Sequence, residues 1–197
     1  MRDPGTIRDQ IWIVPYNEDH TINISVINND FVMFKWYNNI KTQYFQGSIP
    51  PTLVFPIKEI DTNDDQVVML DNSGTLWIFS DISGEEISIN KAVTHKVKQF
   101  KCWGDHVLVY AENNELLQFS FSTFDSYPVK PGLCISVEQI ACGRDHCLIV
   151  TRSGYVYSYG SDEFGQLGND NYTDQSEPNL ILQLSNCKVS NIACTDY

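Results

Sequence analysis

Apolar residues recur along this chain in short blocks, and three consecutive segments keep the same spacing between them. The segments begin at Ile57, Val97 and Val137, each 40 residues after the one before, and they align over 24 columns without a gap. Short apolar blocks of this kind predict β-strands rather than helices. The apolar columns hold Ile57, Val97 and Val137; Ile60, Phe100 and Ile140; Val67–Leu70, Val107–Tyr110 and Cys147–Val150; Leu76, Leu116 and Val156; and Phe79, Phe119 and Tyr159.

Between the apolar blocks, one column holds residues that suit a tight turn, namely Gly74, Asn114 and Gly154. Glycine and asparagine are the residues that best tolerate a positive φ angle, which a tight hairpin requires. We therefore expect hairpin turns at Asn72–Gly74, Asn113–Asn114 and Ser153–Gly154.

Weaker copies of the repeat flank these three segments. The stretch "IWIVPYNEDH" from Ile11 reproduces the first ten columns, and "VSNIACTDY" from Val189 begins another copy. Repeats of about 40–50 residues in β-rich sequence are typical of propeller blades. The sequence therefore predicts an all-β fold of antiparallel β-propeller blades, incomplete, with about four blades plus the first strand of a fifth. Residues 1–10 are assigned to an N-terminal extension and residues 11–197 to a partial β-propeller, with repeats starting near 11, 57, 97, 137 and 189.

One unit carries a specific resemblance. Residues 137–170, "VEQIACGRDHCLIVTRSGYVYSYGSDEFGQLGND", are similar to the repeat of the regulator-of-chromosome-condensation family. Propellers of that family typically have about seven blades, so the resemblance implies that this chain covers about half of one. The unclosed edges would then continue into, or pair with, further blades. The matching residues, which the resemblance marks as structural, are Ala141, Cys142, Gly143, His146, Leu148, Gly154, Val156, Tyr157, Gly160, Phe164, Gly165, Gln166, Leu167, Gly168 and Pro178.

The segment from Gly160 to Gly165 has the glycine spacing of a phosphate-binding loop. Such a loop needs Lys followed by Ser or Thr after the second glycine, and Gln166-Leu167 stands there instead. We therefore interpret this loop as a connector within the blade, with Leu167 tucked beneath it. The polar residues of the loop are expected to face solvent or a partner; they are Asp162, Glu163, Asn169 and Asp170.

Two other residue patterns resemble a catalytic site or a metal site, but the repeat explains them better. Asp145-His146 looks like a catalytic dyad, yet Asp105-His106 and Asp19-His20 occupy the same column. A pair that recurs by repeat position indicates scaffold, with the histidine hydrogen-bonded to a neighbouring strand or turn.

The cysteines follow the same logic. Cys102, Cys142 and Cys194 share one column, which would place one in each blade and prevent them from converging on a zinc ion. We expect these three to act as small buried hydrophobes and all six cysteines to stay reduced. The sequence predicts no catalytic residue, no metal site and no cofactor.

Charge and hydropathy restrict the partners. The chain has 13 Lys and Arg against 25 Asp and Glu, a formal net charge of −12, so binding to nucleic acid is disfavoured. No apolar run approaches the ~18–20 residues that a membrane span needs, and the start of the chain lacks the pattern of a secretory signal. We expect a soluble intracellular protein, cytoplasmic or nuclear and not secreted, without membrane contact.

Two functions remain open. The first is a non-catalytic platform that binds protein partners through its blade loops, since function in propellers lies in sites carried by the fold. The second, which the family resemblance implies, is guanine-nucleotide exchange on a Ran-like small GTPase. A true enzyme is not expected, and no exchange residue can be assigned from the sequence.

Overall fold

The structure is a computed structural model of the whole chain. It describes residues 10–17, 20–27, 30–37, 40–48, 57–63, 66–81, 87–91, 96–123, 126–129, 136–170 and 172–195. The chain divides into two compact units, Met1–Lys91 and Ala92–Tyr197, each of which contains two four-stranded antiparallel sheets. No helix in these ranges is long and apolar enough to cross a membrane.

The first unit contains two sheets in which each strand pairs with the next along the chain. In the second sheet, the central strand is buried on both faces, from Val67 to Leu70. Asp71 ends that strand, and its carboxylate accepts a hydrogen bond from the indole Nε1 of Trp77 at 2.8 Å. The strands are β1 (Gln10–Asn17), β2 (His20–Ile27), β3 (Asp30–Tyr37), β4 (Ile40–Ser48), β5 (Ile57–Thr62), β6 (Gln66–Asp71), β7 (Leu76–Asp81) and β8 (Ile87–Lys91).

The second unit repeats this arrangement, with its two first strands in contact. Apolar residues from both of its sheets form one core cluster, which includes Leu108, Tyr110, Ile140, Ile149 and Tyr159. The only helical turn in the described ranges is the 3-10 turn Leu182–Leu184. The strands are β9 (Val97–Trp103), β10 (His106–Ala111), β11 (Leu116–Ser120), β12 (Ser126–Pro128), β13 (Val137–Cys142), β14 (His146–Thr151), β15 (Val156–Gly160) and β16 (Gln175–Leu180). The described residues are thus almost entirely β, and the predicted antiparallel blades are confirmed.

The predicted turns are confirmed by backbone geometry. Gly74, Asn114 and Gly154 have φ angles of 85°, 65° and 90°. In each case the turn residue donates its N–H to the carbonyl three residues earlier, at 3.1, 3.1 and 2.8 Å. A positive φ at this position closes the hairpin, which is why the column tolerates only glycine and asparagine here.

A β-bulge recurs at the second repeat column, which the sequence did not predict. Strand pairing skips one residue after the first position of β5, β9 and β13. The skipped residues are Lys58, Lys98 and Glu138. A bulge at this place lets the first strand bend while the later pairs stay in register.

The predicted first strand of a fifth blade does not form. Residues 188–195 have no strand pairing, although they lie along β13. The side chain of Gln139 donates to the carbonyl of Ile192 at 2.9 Å and accepts from its N–H at 3.2 Å. Gln99 likewise bonds main-chain atoms of β13, since it donates to the carbonyl of Glu138 at 2.7 Å and accepts from the N–H of Ile140 at 3.2 Å. Residues 188–195 therefore lie beside β13 much as β13 lies beside β9. Among the described residues, however, no strand pairs with this segment, so it does not form a β-strand.

Candidate partner-binding loop

The loop after β15, residues 161–174, is hereafter called the connector. It begins at Gly160, where φ is +111° and a Cβ atom would lie 2.4 Å from the carbonyl oxygen of Asp145. Ser161 then donates its N–H to that same carbonyl at 2.8 Å. Glycine at position 160 therefore allows the chain to pass over the Asp145-His146 turn and leave the sheet.

Asp162 organises the connector from the inside, which corrects the expectation that it faces a partner. Its side chain is fully buried, and one carboxylate oxygen accepts the N–H of Leu167 at 2.9 Å. Its backbone carbonyl accepts from Gly165 at 3.0 Å, and its own N–H donates to the carboxylate of Asp174 at 2.8 Å. The buried carboxylate satisfies the Leu167 N–H, while its other oxygen, Oδ2, has no hydrogen-bond partner within the described residues.

Leu167 is fully buried, as predicted. Its carbonyl oxygen accepts a hydrogen bond from the buried hydroxyl of Ser158 in β15 at 2.8 Å. Gly165 and Gly168 on either side have φ angles of 79° and 66°. The two glycines thus supply left-handed backbone that turns Leu167 toward the sheet.

The outer face of the connector combines acidic and aromatic side chains. Glu163 and Asp170 are exposed, as expected, whereas Asn169 is half-buried. Phe164 and Tyr172 are 65% and 70% exposed. The ring of Tyr172 lies over Gly165, where a Cβ atom would be 3.1 Å from its Cε1. The family resemblance marks Phe164 as structural and says nothing of Tyr172, so neither aromatic side chain is predicted from the sequence to be exposed on this loop.

Two exposed residues of the connector are held in backbone conformations that cost energy. Asp170 and Tyr172 have φ angles of 61° and 50°. The left-handed region costs a residue with a side chain roughly 1–2 kcal/mol relative to the right-handed one. The carboxylate of Asp170 also accepts from the amide of Gln183 at 2.7 Å. This hydrogen bond therefore helps to hold Asp170 in its left-handed conformation.

The histidines of the Asp-His column pack against neighbouring residues, and at His146 one ring nitrogen lacks the hydrogen bond expected from the sequence. His146 is buried and its ring packs on Gly143, where a Cβ atom would lie 2.7 Å from Cε1. Within the described ranges its Nδ1 has no hydrogen-bond partner. Burial lowers the pKa of His146, and the nearby Asp145 carboxylate opposes this shift only in part. The ring serves as a flat apolar surface, and it is neutral because desolvation disfavours the charged form.

The second unit repeats this use of histidine once more. His106 stacks on Trp103 with ring centroids 5.3 Å apart, and Trp103 occupies the column of Gly143. Burial likewise lowers the pKa of His106, with Asp105 opposing the shift. The Asp19 member of the column lies outside the described residues.

The expectation that the cysteines stay reduced is wrong for one pair. Cys142 and Cys147 face each other across the β13–β14 hairpin, with Cα atoms 4.1 Å apart, and form a disulfide. Counting outward from the Gly143–Asp145 turn would have placed them opposite each other. Cys194 is reduced; its thiol donates to the carbonyl of Ala141 at 3.3 Å, and burial raises its pKa to about 11. In the described ranges no three His, Cys, Asp or Glu side chains are placed to hold a metal ion.

Comparison with known proteins bears on the same part of the chain. Residues 137–166 match one family model of the regulator of chromosome condensation (RCC1) repeat, and residues 153–197 match another. Over 45 residues the chain is 40% identical to the human probable E3 ubiquitin-protein ligase HERC3. The aligned segment is 23% of this chain and 4% of the ligase.

Solved structures extend the likeness to most of the chain, at the level of fold. Human WBSCR16 is similar with a TM-score of 0.62 and 16% identity over 96% of this chain and 57% of its own. Yeast RCC1 (Prp20) bound to Kap60 is similar with a TM-score of 0.65 and 14% identity, over 90% of this chain and 50% of its own. Prp20p from Saccharomyces cerevisiae is similar with a TM-score of 0.64 and 14% identity, over 90% of this chain and 52% of its own. This chain therefore spans about half the length of these propellers. Residues 137–197 are similar in sequence to RCC1 repeats, and the resemblance predicted from the sequence is confirmed for that part of the chain.

Proposed function

We propose that this chain is a non-catalytic interaction platform that binds protein partners through blade loops, the connector above all. The observation that carries the proposal is the display of Phe164 and Tyr172, both largely exposed, on a connector fixed by the buried Asp162. Exposed aromatic side chains on a rigid support are typical of protein-binding surfaces, because they contribute contact area at little entropic cost.

The test is capture of partners by the purified full chain, followed by mass spectrometry. We expect a set of proteins to bind the wild type and to be lost with the double variant Phe164→Ala/Tyr172→Ala. The matched control is Tyr155→Ala, since Tyr155 is an exposed aromatic residue (44%) in the Ser153–Gly154 hairpin and not in the connector. Partners that remain bound to the double variant and are lost with the control would refute the assignment to the connector.

Nucleotide exchange on a Ran-like GTPase is the second candidate, and the likeness to Prp20p, described for its binding to Gsp1p and histones, favours it. Its test is the release of fluorescent GDP from a purified Ran-like GTPase. Under the platform proposal the chain leaves the release rate unchanged. A tenfold or greater acceleration, on the order of 1.4 kcal/mol in barrier, would replace the platform by the exchange factor.

Two accompanying proposals concern partners and place. The chain is proposed to act inside the cell, in cytoplasm or nucleus, on protein partners and not on membranes. Its net charge of −12 supports the further proposal that it does not bind nucleic acid. Salt-sensitive binding to duplex DNA in a mobility-shift assay would contradict the proposal that the chain does not bind nucleic acid. A fluorescent fusion of the chain tests its location.

A further inference from the structure

The connector and its flanks are uniformly acidic. Residues 157–187 contain five acidic residues and no Lys, Arg or His. One of the five, Asp162, is buried, whereas Glu163, Asp170 and Asp174 are exposed. One oxygen of Asp174 accepts the Asp162 N–H and one of Asp170 accepts the Gln183 amide, and both carboxylates keep their charge at the surface. This face therefore presents negative charge without an internal cation from its own segment to neutralise it. Such a face repels anionic ligands and attracts cationic ones.

The connector also carries exposed aromatic side chains, Phe164 and Tyr172, close in the chain to those charges. Gly165 directly follows Phe164, and the ring of Tyr172 lies over Gly165, so both aromatic side chains leave the same short stretch. Glu163 precedes Phe164, and Asp170 and Asp174 lie two residues to either side of Tyr172. The carboxylates thus flank the aromatic surface on both sides along the chain.

Aromatic faces and carboxylates together suit one kind of side chain. The ring of a Phe or Tyr attracts a cation through its quadrupole, and the guanidinium group of Arg also stacks on it. The chain itself shows this geometry, since Lys98 Nζ lies 4.8 Å from the ring centroid of Tyr110. The same ammonium donates to the Asn114 side chain at 2.9 Å. A cation on an aromatic ring beside an oxygen acceptor is therefore an arrangement that these blades support.

The connector is preorganised for such a ligand. Phe164 donates its N–H to the side chain of Gln166 at 2.8 Å, and Asp170 is held by Gln183. Tyr172 is kept at a positive φ although its side chain is exposed. Backbone strain held at exposed residues is a common feature of binding sites, and a fixed surface loses less entropy when it binds.

We propose that the outer face of the connector, formed by Glu163, Phe164, Asp170, Tyr172 and Asp174, binds an arginine-rich segment of a partner protein. Arginine side chains stack on Phe164 and Tyr172, and the three carboxylates balance their charge. This inference rests on the proposed function and specifies the chemistry of the partner.

The test uses the full chain and fluorescent peptides of equal length, in which glycine alternates with arginine, lysine or glutamate. Fluorescence anisotropy at low and moderate salt gives the affinities. We expect the arginine peptide to bind most tightly, the lysine peptide more weakly, and the glutamate peptide not at all. Salt should weaken binding without abolishing it, because stacking on the rings is less screened than the exposed charges.

Variants separate the rings from the charges. Phe164→Leu keeps an apolar side chain but removes the ring, and should weaken arginine-peptide binding about 3-fold to 30-fold. Tyr172→Phe keeps the ring and should bind as the wild type does. Asp170→Asn should weaken binding while it preserves the left-handed backbone, which asparagine tolerates. The matched controls outside the connector are Tyr155→Ala and Glu112→Gln, both at exposed positions, which should change nothing.

Three results would overturn the inference. The first is tighter binding of the glutamate peptide than of the arginine peptide. The second is arginine-peptide binding that is unchanged in Phe164→Leu, which would reduce the effect to charge alone. The third is no binding of the arginine peptide by a wild-type chain that still captures partners through the connector. In this last case the proposed function stands and only the cationic partner is wrong.

Discussion

Replacement of Gly154 by valine probes the best-defined hairpin and its neighbour together. Gly154 has a φ of 90°, and a Cβ atom there would lie 2.7 Å from Lys188 Cγ, 3.0 Å from Lys188 Cα and 3.2 Å from the nitrogen of Val189. The left-handed backbone costs a residue with a side chain roughly 1–2 kcal/mol. Crowding against a backbone that must move adds about 1–2 kcal/mol. We therefore expect Gly154→Val to lower the free energy of unfolding by about 2–4 kcal/mol.

Part of this loss should be local. The N–H of Val189 donates to the carbonyl of Gly154 at 3.2 Å, so displacement of Lys188 also breaks that bond. Thermal melting measures the global effect, and hydrogen exchange at Val189 measures the local one. Gly154→Asn is the matched control for strain, since asparagine tolerates a positive φ but still carries a Cβ atom. It should melt closer to the wild type than valine while losing the protection at Val189.

The result that refutes this reasoning is a Gly154→Val variant with the melting temperature and the Val189 protection of the wild type. If the valine and asparagine variants lose the same free energy of unfolding, backbone strain contributes nothing, and the whole loss comes from the contact with Lys188.

Three further predictions follow from buried groups. Asp162→Ala should destabilise the chain by about 1–3 kcal/mol, because it leaves the N–H of the buried Leu167 without its acceptor, and limited proteolysis should cut the connector faster. Lowering the pH below the ordinary histidine pKa of 6.5 should destabilise the fold, because burial lowers the pKa of His106 and His146 and the unfolded chain then binds more protons. Reduction of the Cys142–Cys147 disulfide should cost roughly 2 kcal/mol, the entropy expected for so short a loop, measured by melting with and without a thiol reductant.

Each of these three has an outcome that contradicts it. An unchanged proteolysis rate in Asp162→Ala would mean that the connector does not depend on the buried carboxylate. Stability that rises as the pH falls through 6.5 would require the histidines to be stabilised as cations, which is the opposite sign. Melting that a reductant does not shift, with mass spectrometry showing that Cys142 and Cys147 are both free thiols without reductant, would mean that the disulfide is not formed.

The repeat made the strands and turns predictable from sequence. Positions 74, 114 and 154 share a requirement for positive φ, and only two residue types meet it cheaply, so the column is visible without coordinates. The bulge residues Lys58, Lys98 and Glu138 share no such requirement, because a bulged residue can carry almost any side chain. The sequence therefore located the hairpins but not the bend in the strands beside them.

The connector was predictable in place but not in orientation. Its glycines and Leu167 marked a tight loop with one apolar anchor, and that much is confirmed. Asp162 and Glu163 are adjacent acids with identical charge, yet one is buried and the other exposed. Their difference arises from the direction of unpaired backbone N–H groups, which depends on three-dimensional geometry that no local pattern encodes.

The amide of Gln139 has a consequence for how these repeats diverge. It recognises Ile192 through main-chain atoms alone, as Gln99 does with Glu138 and Ile140. A side-chain amide that bonds only to main-chain N–H and C=O groups does not depend on which side chains the neighbouring segment carries. In these two units, Gln99 and Gln139 can therefore hold the neighbouring segment while the side chains of that segment vary. Contacts of this kind allow the units to keep the same arrangement although their sequences are only weakly similar.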